Sequence, residues 1–272
     1  MLLLSARFEP SAVASRRPRR SAYAQVTLAA AVVVATGLAI ETLRPSWAGF
    51  GHGLATGAVH GGLIAIGWLV GTNGVGWHGP AVRCAAATLF AAIATRLSPW
   101  GALAFLLVPA GLIYETRGCA AMRAIGMCAA RPAHLLAAVA AGGFLGLHLL
   151  LTASLTFGYR VHTSPAVYAS ALAYDIGANV LSAEWLFRGA LFTAWWRLGS
   201  FWPAALATTA LALGRYLLDP ALPAAPEARA GAVFYLGLVG LLACSLRAWS
   251  GSLLPGFLAS LAFFAAYRTL TP

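Results

Sequence analysis

Apolar residues occur along this chain in long runs that are separated by short polar, proline-rich or glycine-rich stretches. A membrane hydrocarbon core of about 30 Å is crossed by about 20 apolar residues in a helix, and most of the runs approach that length. The predicted helices are 24–41, 53–71, 82–99, 101–115, 133–157, about 166–189 with a break near Gly189, 202–218, 231–246 and 252–268. Since lipid offers backbone groups no hydrogen-bond partners, we expect an all-α polytopic transmembrane bundle of about eight or nine spans.

The pattern also divides the chain into three parts. Residues 1–22 are polar and proline-punctuated, and we interpret them as a cytoplasmic N-terminal tail. Residues 23–157 hold the N-terminal transmembrane helices, and residues 158–272 form a membrane core that carries the candidate chemistry.

Composition supports a membrane protein and excludes a nucleic-acid partner. Charged residues make up only 9% of the chain, whereas about 25% is typical of soluble domains. The net charge of +11 comes from arginines scattered between the apolar runs, as the positive-inside rule expects. We therefore predict a multi-pass protein of a bacterial cytoplasmic membrane with a cytoplasmic N-terminus and lipid as its surroundings. This topology places the following arginines on the inside: Arg117, Arg123, Arg131, Arg188, Arg197 and Arg247.

Small and polar residues within the apolar runs are more often involved in helix packing than in a chemical reaction. Gly53, Gly57 and Gly61 form a small-residue face that lets another helix approach closely. His60 beside it and His148 in a later run are expected to be packed, hydrogen-bonded histidines. The four cysteines show no metal-site spacing, so we expect no metal and no cofactor.

Glu184 and Arg188 stand four residues apart in an otherwise apolar run. Side chains at this spacing share one helix face and can pair. A carboxylate in a membrane span costs about 2.5–3.5 kcal/mol on insertion scales, so its presence calls for either a structural ion pair or a reaction centre. Asp175 is expected nearer the far end of the same helix as a cavity-facing or capping residue. Ser182 has no histidine and acid near it in sequence, which leaves a serine-type centre without support.

Three sequence blocks in the last 90 residues follow a common order and spacing. The first block is Glu184-Trp-Leu-Phe-Arg-Gly189. The second is Leu198-Gly-Ser-Phe-Trp-Pro-Ala-Ala-Leu206, which leads into Leu211-Ala-Leu-Gly-Arg215. The third comprises Phe234 to Gly240 and Trp249-Ser-Gly-Ser-Leu-Leu-Pro-Gly-Phe-Leu-Ala-Ser260. Together the blocks resemble the CPBP family of intramembrane proteases, which includes the CAAX prenyl endopeptidases and bacteriocin-processing proteins.

The resemblance implies a glutamic-type endopeptidase centre, yet this chain departs from the family at four positions. In the family, the first Glu of a Glu pair and a His activate a water, while a second His and its Asn partner help stabilise the oxyanion. The positions that match the substituted family residues are Ala183, Arg215, Ser260 and Phe264. Arg215 stays protonated near neutrality and is no general base, so only Glu184 and Arg188 remain of the motif. We expect Arg215 to act as a structural cation in a cluster with Glu184 and Arg188.

Three classes of function stay open at this point. The first is a catalytically impaired pseudoprotease that binds a transmembrane or lipidated peptide or protein. The second is an active intramembrane endopeptidase with a rearranged centre. The third is a transporter or an accessory subunit of a membrane complex, although no inverted repeat supports a transporter.

Overall fold

The computed structural model describes residues 20–72, 79–98, 100–117, 119, 122–123, 125–161, 164–217 and 225–271. The predicted N-terminal tail therefore lies almost entirely outside the described residues. The domain boundaries predicted at residues 22 and 157 stay predictions.

Nine helices follow one another in the described residues, one for each apolar run. The first four are α1 (Arg20–Leu43), α2 (Ala48–Thr72), α3 (Pro80–Leu97) and α4 (Leu107–Thr116), with 3-10 turns at Pro45–Trp47 and Gly101–Leu106. The others are α5 (Pro132–Phe157), α6 (residues 165–198), α7 (Phe201–Leu217), α8 (Pro226–Ser250) and α9 (Leu254–Tyr267). A short antiparallel pair joins β1 (Arg160–Val161) to β2 (Leu270–Thr271).

Proline and glycine set many of the helix ends. Proline stands in the first turn of α3, α5, α6, α8 and α9, where its missing N–H costs no helical hydrogen bond. Gly158 and Gly251 end α5 and α8 at φ of 71° and 70°, a left-handed conformation that glycine adopts without strain. The polar connections between the apolar runs thus carry the local signals that start and stop each helix.

Five of these helices are long and apolar enough to cross a membrane by length and composition. They are Ser21–Leu43, Pro45–Thr72, Pro80–Leu97, Pro132–Phe157 and Arg229–Ser250. Two shorter apolar helices, Gly101–Thr116 and Leu254–Tyr267, accompany them. The predicted class, an all-α membrane helical bundle, is confirmed, and the count of about eight or nine spans stays a prediction.

Helix α6 carries the Glu184 block and differs from the prediction. It comprises Pro165–Tyr174, a π segment Asp175–Asn179, Val180–Ala183, a second π segment Glu184–Leu191, and Phe192–Leu198. The predicted break near Gly189 is wrong, because the second π segment carries the helix through Gly189 without interruption. π segments within α-helices are rare and occur frequently at functional sites.

The chain divides into two compact units, and the division along the sequence falls within α6, between Leu186 and Phe187. The first unit comprises Ala12–Met122 with Ser164–Leu186. In it, the glycine face of α2 packs directly on α3: a Cβ at Gly57 would stand 2.7 Å from Leu89 Cα, and one at Gly61 would stand 3.0 Å from the carbonyl oxygen of Ala85. The predicted close helix approach along this face is confirmed.

The second unit contains Arg123–Thr163 and Phe187–Pro272. Its centre is the packing of α5 against α9, where Gly142 lies directly against the backbone of Ala259 and Gly146 lies against Ala266. Helices α7 and α8 pack beside each other through Thr208 and Cys244, both fully buried. This unit therefore holds the second and third sequence blocks together.

Candidate functional site

Both retained motif residues are buried. Glu184 is 4% exposed and Arg188 is 3% exposed, and both lie in the second π segment of α6. Glu184 belongs to the first unit and Arg188 to the second, so each is described with the neighbours in its own unit. The predicted pairing of the two side chains, and the predicted cluster with Arg215, stay predictions.

Trp185 anchors the Glu184 end of the motif to α2. Its indole Nε1 donates to the carbonyl oxygen of Ile64 at 3.0 Å, and its ring packs on Trp68 with centroids 6.0 Å apart. A Cβ at Gly67 would stand 2.5 Å from the Trp185 ring, so glycine is what admits the indole there. Ala183, the residue before Glu184, is buried and carries no proton-handling group.

The guanidinium of Arg188 lies against Gly240 of α8. A Cβ at Gly240 would stand 2.5 Å from Arg188 Nη2 and 2.8 Å from Cγ2 of Thr209 on α7. Because no side chain stands at Gly240, the long cation of Arg188 fits between the two helices. The third block thus contributes a space for the arginine of the first block.

Gly240→Ala is therefore expected to destabilise the protein, while Gly237→Ala on the same helix is expected to be neutral or stabilising. A Cβ at Gly237 has only an ordinary contact, 3.8 Å from Leu213 Cδ1. Alanine is favoured over glycine within a helix by about 0.8–1 kcal/mol, whereas overpacking a close contact costs about 1–3 kcal/mol. Thermal unfolding of both variants in one detergent measures the difference, and two shifts of the same sign would refute the packing of Arg188 against Gly240.

Arg215 and Phe264, two of the substituted family positions, come together around one aromatic ring. The guanidinium carbon of Arg215 lies 4.5 Å from the ring centroid of Tyr216, within cation–π range. The same ring lies 5.8 Å from that of Phe264, which is 5% exposed. Ser260, one turn earlier on α9, is also buried. Arg215 and Phe264 thus make packing contacts at positions where the resemblance predicts an imidazole and an amide.

The glycine-serine turn of the third block has a structural role. Gly251, Ser252 and Leu253 join α8 to α9, and the hydroxyl of Ser252 donates to the carbonyl oxygen of Cys128 at 2.6 Å. The backbone N–H of Leu253 donates to the carbonyl oxygen of Gly126 at 2.9 Å. A loop at residues 125–128 is thereby fixed on the turn.

The same loop covers a buried arginine that the sequence did not single out. Arg247 is 2% exposed, and its Nη2 donates to Thr193 Oγ1 at 3.5 Å. A Cβ at Gly126 would stand 2.7 Å from Arg247 Nε, and Gly126 has φ of +104°. The burial of Arg247 could not be read from sequence, because the residues that cover it lie about 120 positions earlier.

The first unit holds a buried polar network that the sequence also missed. His60 Nδ1 lies 2.9 Å from Ser182 Oγ, and His60 Nε2 lies 2.7 Å from the hydroxyl of Tyr174. Asn179 Nδ2 donates to Asp175 Oδ1 at 2.8 Å. Asp175 is fully buried in the first π segment and stands at the C-cap position of Pro165–Tyr174, so the expected cavity-facing or capping role stays a prediction.

The Ser182–His60 contact invites a comparison with serine-type catalysis. In such centres a carboxylate holds the second imidazole nitrogen and stabilises the imidazolium. Here the Tyr174 hydroxyl stands at that nitrogen, and Ser182 is fully buried. The arrangement favours a hydrogen-bonded packing role, as expected for His60, with α2 fixed against α6.

Two further features complete the chemistry of the described residues. Within the ranges that the structure describes, no three His, Cys, Asp or Glu side chains are grouped as metal ligands. A small apolar groove of about 340 Å³ lies at the junction of α6 and α7. It is lined by Trp195, Gly199, Ser200, Pro203, Ala204 and Ala207.

Comparisons with known proteins agree with the three blocks. Residues 165–263 match the family model described as type II CAAX prenyl endopeptidase Rce1-like. This segment contains all three blocks, and Phe264 lies one residue beyond it. No curated protein and no solved structure matches the chain. The resemblance to the CAAX protease family is confirmed, and residues 165–263 form an Rce1-like segment of this membrane protein.

Proposed function

We propose that this protein is a non-catalytic member of the CAAX protease family that acts by binding a transmembrane or lipid-anchored polypeptide segment. It would do so from a bacterial cytoplasmic membrane, with its N-terminus in the cytoplasm. The observation that carries this proposal is the use of the substituted motif positions for packing. Arg215 and Phe264 both contact the Tyr216 ring.

An active protease would need a general base and an oxyanion-hole donor at those positions. A positioned general base contributes about 10²–10⁴ in rate, and one oxyanion-hole donor contributes about 10²–10³. Arg215 cannot accept a proton near neutrality, and Ala183 and Phe264 have no group that moves or donates one. Of the motif residues, Glu184 alone retains the chemistry of a base.

An active endopeptidase with a rearranged centre is the second candidate. It is supported by Glu184 itself, a carboxylate that is 4% exposed in the first block of the Rce1-like segment. This candidate needs a second proton-handling group near the water that Glu184 would activate. The two candidates therefore differ in one measurable property, a peptide cleavage that depends on Glu184.

A peptidase assay in detergent micelles tests the proposal. The purified protein is mixed with a fluorogenic farnesylated peptide that ends in a CAAX sequence, and a known type II CAAX endopeptidase serves as positive control. We expect the rate to equal that of micelles alone, for the wild type and for Glu184→Gln. Cleavage by the wild type that Glu184→Gln abolishes and Glu227→Gln preserves would establish the second candidate, because Glu227 is an exposed carboxylate of the same segment.

A further inference from the structure

Three polar side chains in the second unit form a closed hydrogen-bonded group on α5 and α8. His148 Nδ1 lies 2.7 Å from the hydroxyl of Tyr235 and 3.4 Å from Thr152 Oγ1. The Tyr235 hydroxyl also donates to Thr152 Oγ1 at 3.2 Å. Tyr235 is 5% exposed, whereas His148 lies on the surface. The group therefore fixes the imidazole by one nitrogen and presents its other edge outward.

The outward nitrogen, Nε2, is able to bond in either tautomer. If Nδ1 carries the proton and donates to Tyr235, Nε2 is an acceptor, and if Nδ1 accepts, Nε2 is a donor. Among the described residues no hydrogen bond reaches Nε2. Both nitrogens of His60, a buried histidine of α2, are bonded, so His148 differs from it in this respect.

His148 lies deep within its membrane span. It is nine residues from Phe157, the end of α5, which corresponds to about 13 Å along the helix axis. The 26 residues of α5 are about 39 Å long, about 9 Å more than the hydrocarbon core. With α5 centred in the membrane, the imidazole lies about 9 Å inside the hydrocarbon boundary, below the headgroups.

The surface around His148 is apolar and exposed. Phe144 is 66% exposed, Leu147 is 55%, Leu151 is 51%, and Phe234 of α8 is 57%. Lipid tails cover the apolar side chains of such a surface, but they offer no hydrogen bond to Nε2 of His148. At the edge of this surface, a Cβ at Gly143 would meet no described atom within 4 Å, so another helix could approach closely there.

We propose that this surface, made of Phe144, Leu147, His148, Leu151 and Phe234, is a docking site for the transmembrane helix of another membrane protein. The partner helix is identified by its chemistry: an apolar helix with one Ser, Thr, Asn or Gln at the depth of His148, which hydrogen-bonds to Nε2. A lipid does not fit as the occupant, because its polar groups lie outside the hydrocarbon core. The inference rests on the proposed binding of a transmembrane segment and names the surface that binds it. The crosslinking experiment tests this surface separately from the peptidase assay, which tests only whether the chain cleaves peptides.

Site-directed photo-crosslinking in native membranes tests the site. A photoreactive residue is placed at Leu147, and at Leu211 of α7 as an exposed control on another helix. We expect an adduct at Leu147 with a peptide from a transmembrane helix of a different protein, with a polar residue within one turn of the linked position. A transmembrane hydrogen bond of the usual strength predicts that His148→Leu lowers the adduct yield by about three- to thirty-fold, while His148→Gln retains most of it.

Yields are normalised to the amount of protein in the membrane, and the thermal stability of each variant is measured in parallel. His148→Leu is expected to fold, because Tyr235 keeps its hydrogen bond to Thr152. Adducts with lipid alone, adducts with a second copy of this chain alone, or a yield that does not depend on His148 would each overturn the proposal. Replacing the partner's polar residue by leucine must reproduce the loss seen with His148→Leu.

Discussion

Gly142→Leu is expected to cause a large loss of stability in the second unit. A Cβ at Gly142 would collide with the backbone of Ala259, so a leucine forces α5 and α9 apart. Overpacking typically costs about 1–3 kcal/mol, and here a rigid backbone takes the contact, so we expect the upper end or more. For a chain of this size that corresponds to a melting temperature lower by about 6–12 °C in detergent, or to failure to accumulate in the membrane.

The neighbouring glycine provides the matched control. Gly143 is on the same helix, and a Cβ there meets no described atom within 4 Å. Leucine is favoured over glycine in a helix, so Gly143→Leu is expected to leave the melting temperature unchanged or to raise it slightly. Equal melting temperatures for the two variants would show that α5 and α9 do not pack in this way.

His60→Leu is expected to produce the second large effect, in the first unit. The change removes both hydrogen bonds of a side chain that is 2% exposed, and it leaves the hydroxyls of Ser182 and Tyr174 without the imidazole. A buried polar group that loses a hydrogen-bond partner costs about 1–3 kcal/mol, so two lost contacts predict a total of about 2–6 kcal/mol. The melting temperature is then expected to fall by about 4–24 °C.

His52→Leu on the same helix is the control for this prediction. His52 contacts Glu41 at 3.3 Å, and both side chains are more than a third exposed, so the pair is worth little. Its loss is expected to shift the melting temperature by less than about 2 °C. A similar shift for both histidine variants would mean that the His60 network does not hold α2 to α6.

The helices could be predicted from sequence because lipid forces each apolar run to satisfy its own backbone. The close approach of α2 to another helix could be predicted as well, since Gly53, Gly57 and Gly61 recur at a spacing of four residues. The two π segments of α6 were not readable. An extra residue in a helical turn leaves the apolar pattern almost unchanged, so the pattern around Gly189 predicted a break where the helix continues.

The candidate motif could be identified only where its parts are close in sequence, and its role stays a prediction. The spacing of Glu184 and Arg188, and the substitutions at Ala183, Arg215, Ser260 and Phe264, follow directly from the blocks. The contact of Ser182 with His60 joins residues 122 positions apart, and periodicity carries no information at that range. The contact of Arg215 with Tyr216 could not be predicted either, because the sequence alone does not determine the orientation of a side chain.

The central claim is that the protein acts without cleaving a peptide bond. It is tested most directly by comparing the new N-termini in membranes of a wild-type strain, a deletion strain, and deletion strains that express Glu184→Gln or Glu227→Gln at equal abundance. We predict that no cleavage product depends on Glu184, even where the deletion has a phenotype. Products that are lost in both the deletion and the Glu184→Gln strain, and retained with Glu227→Gln, would contradict the claim and show an active protease with a rearranged centre.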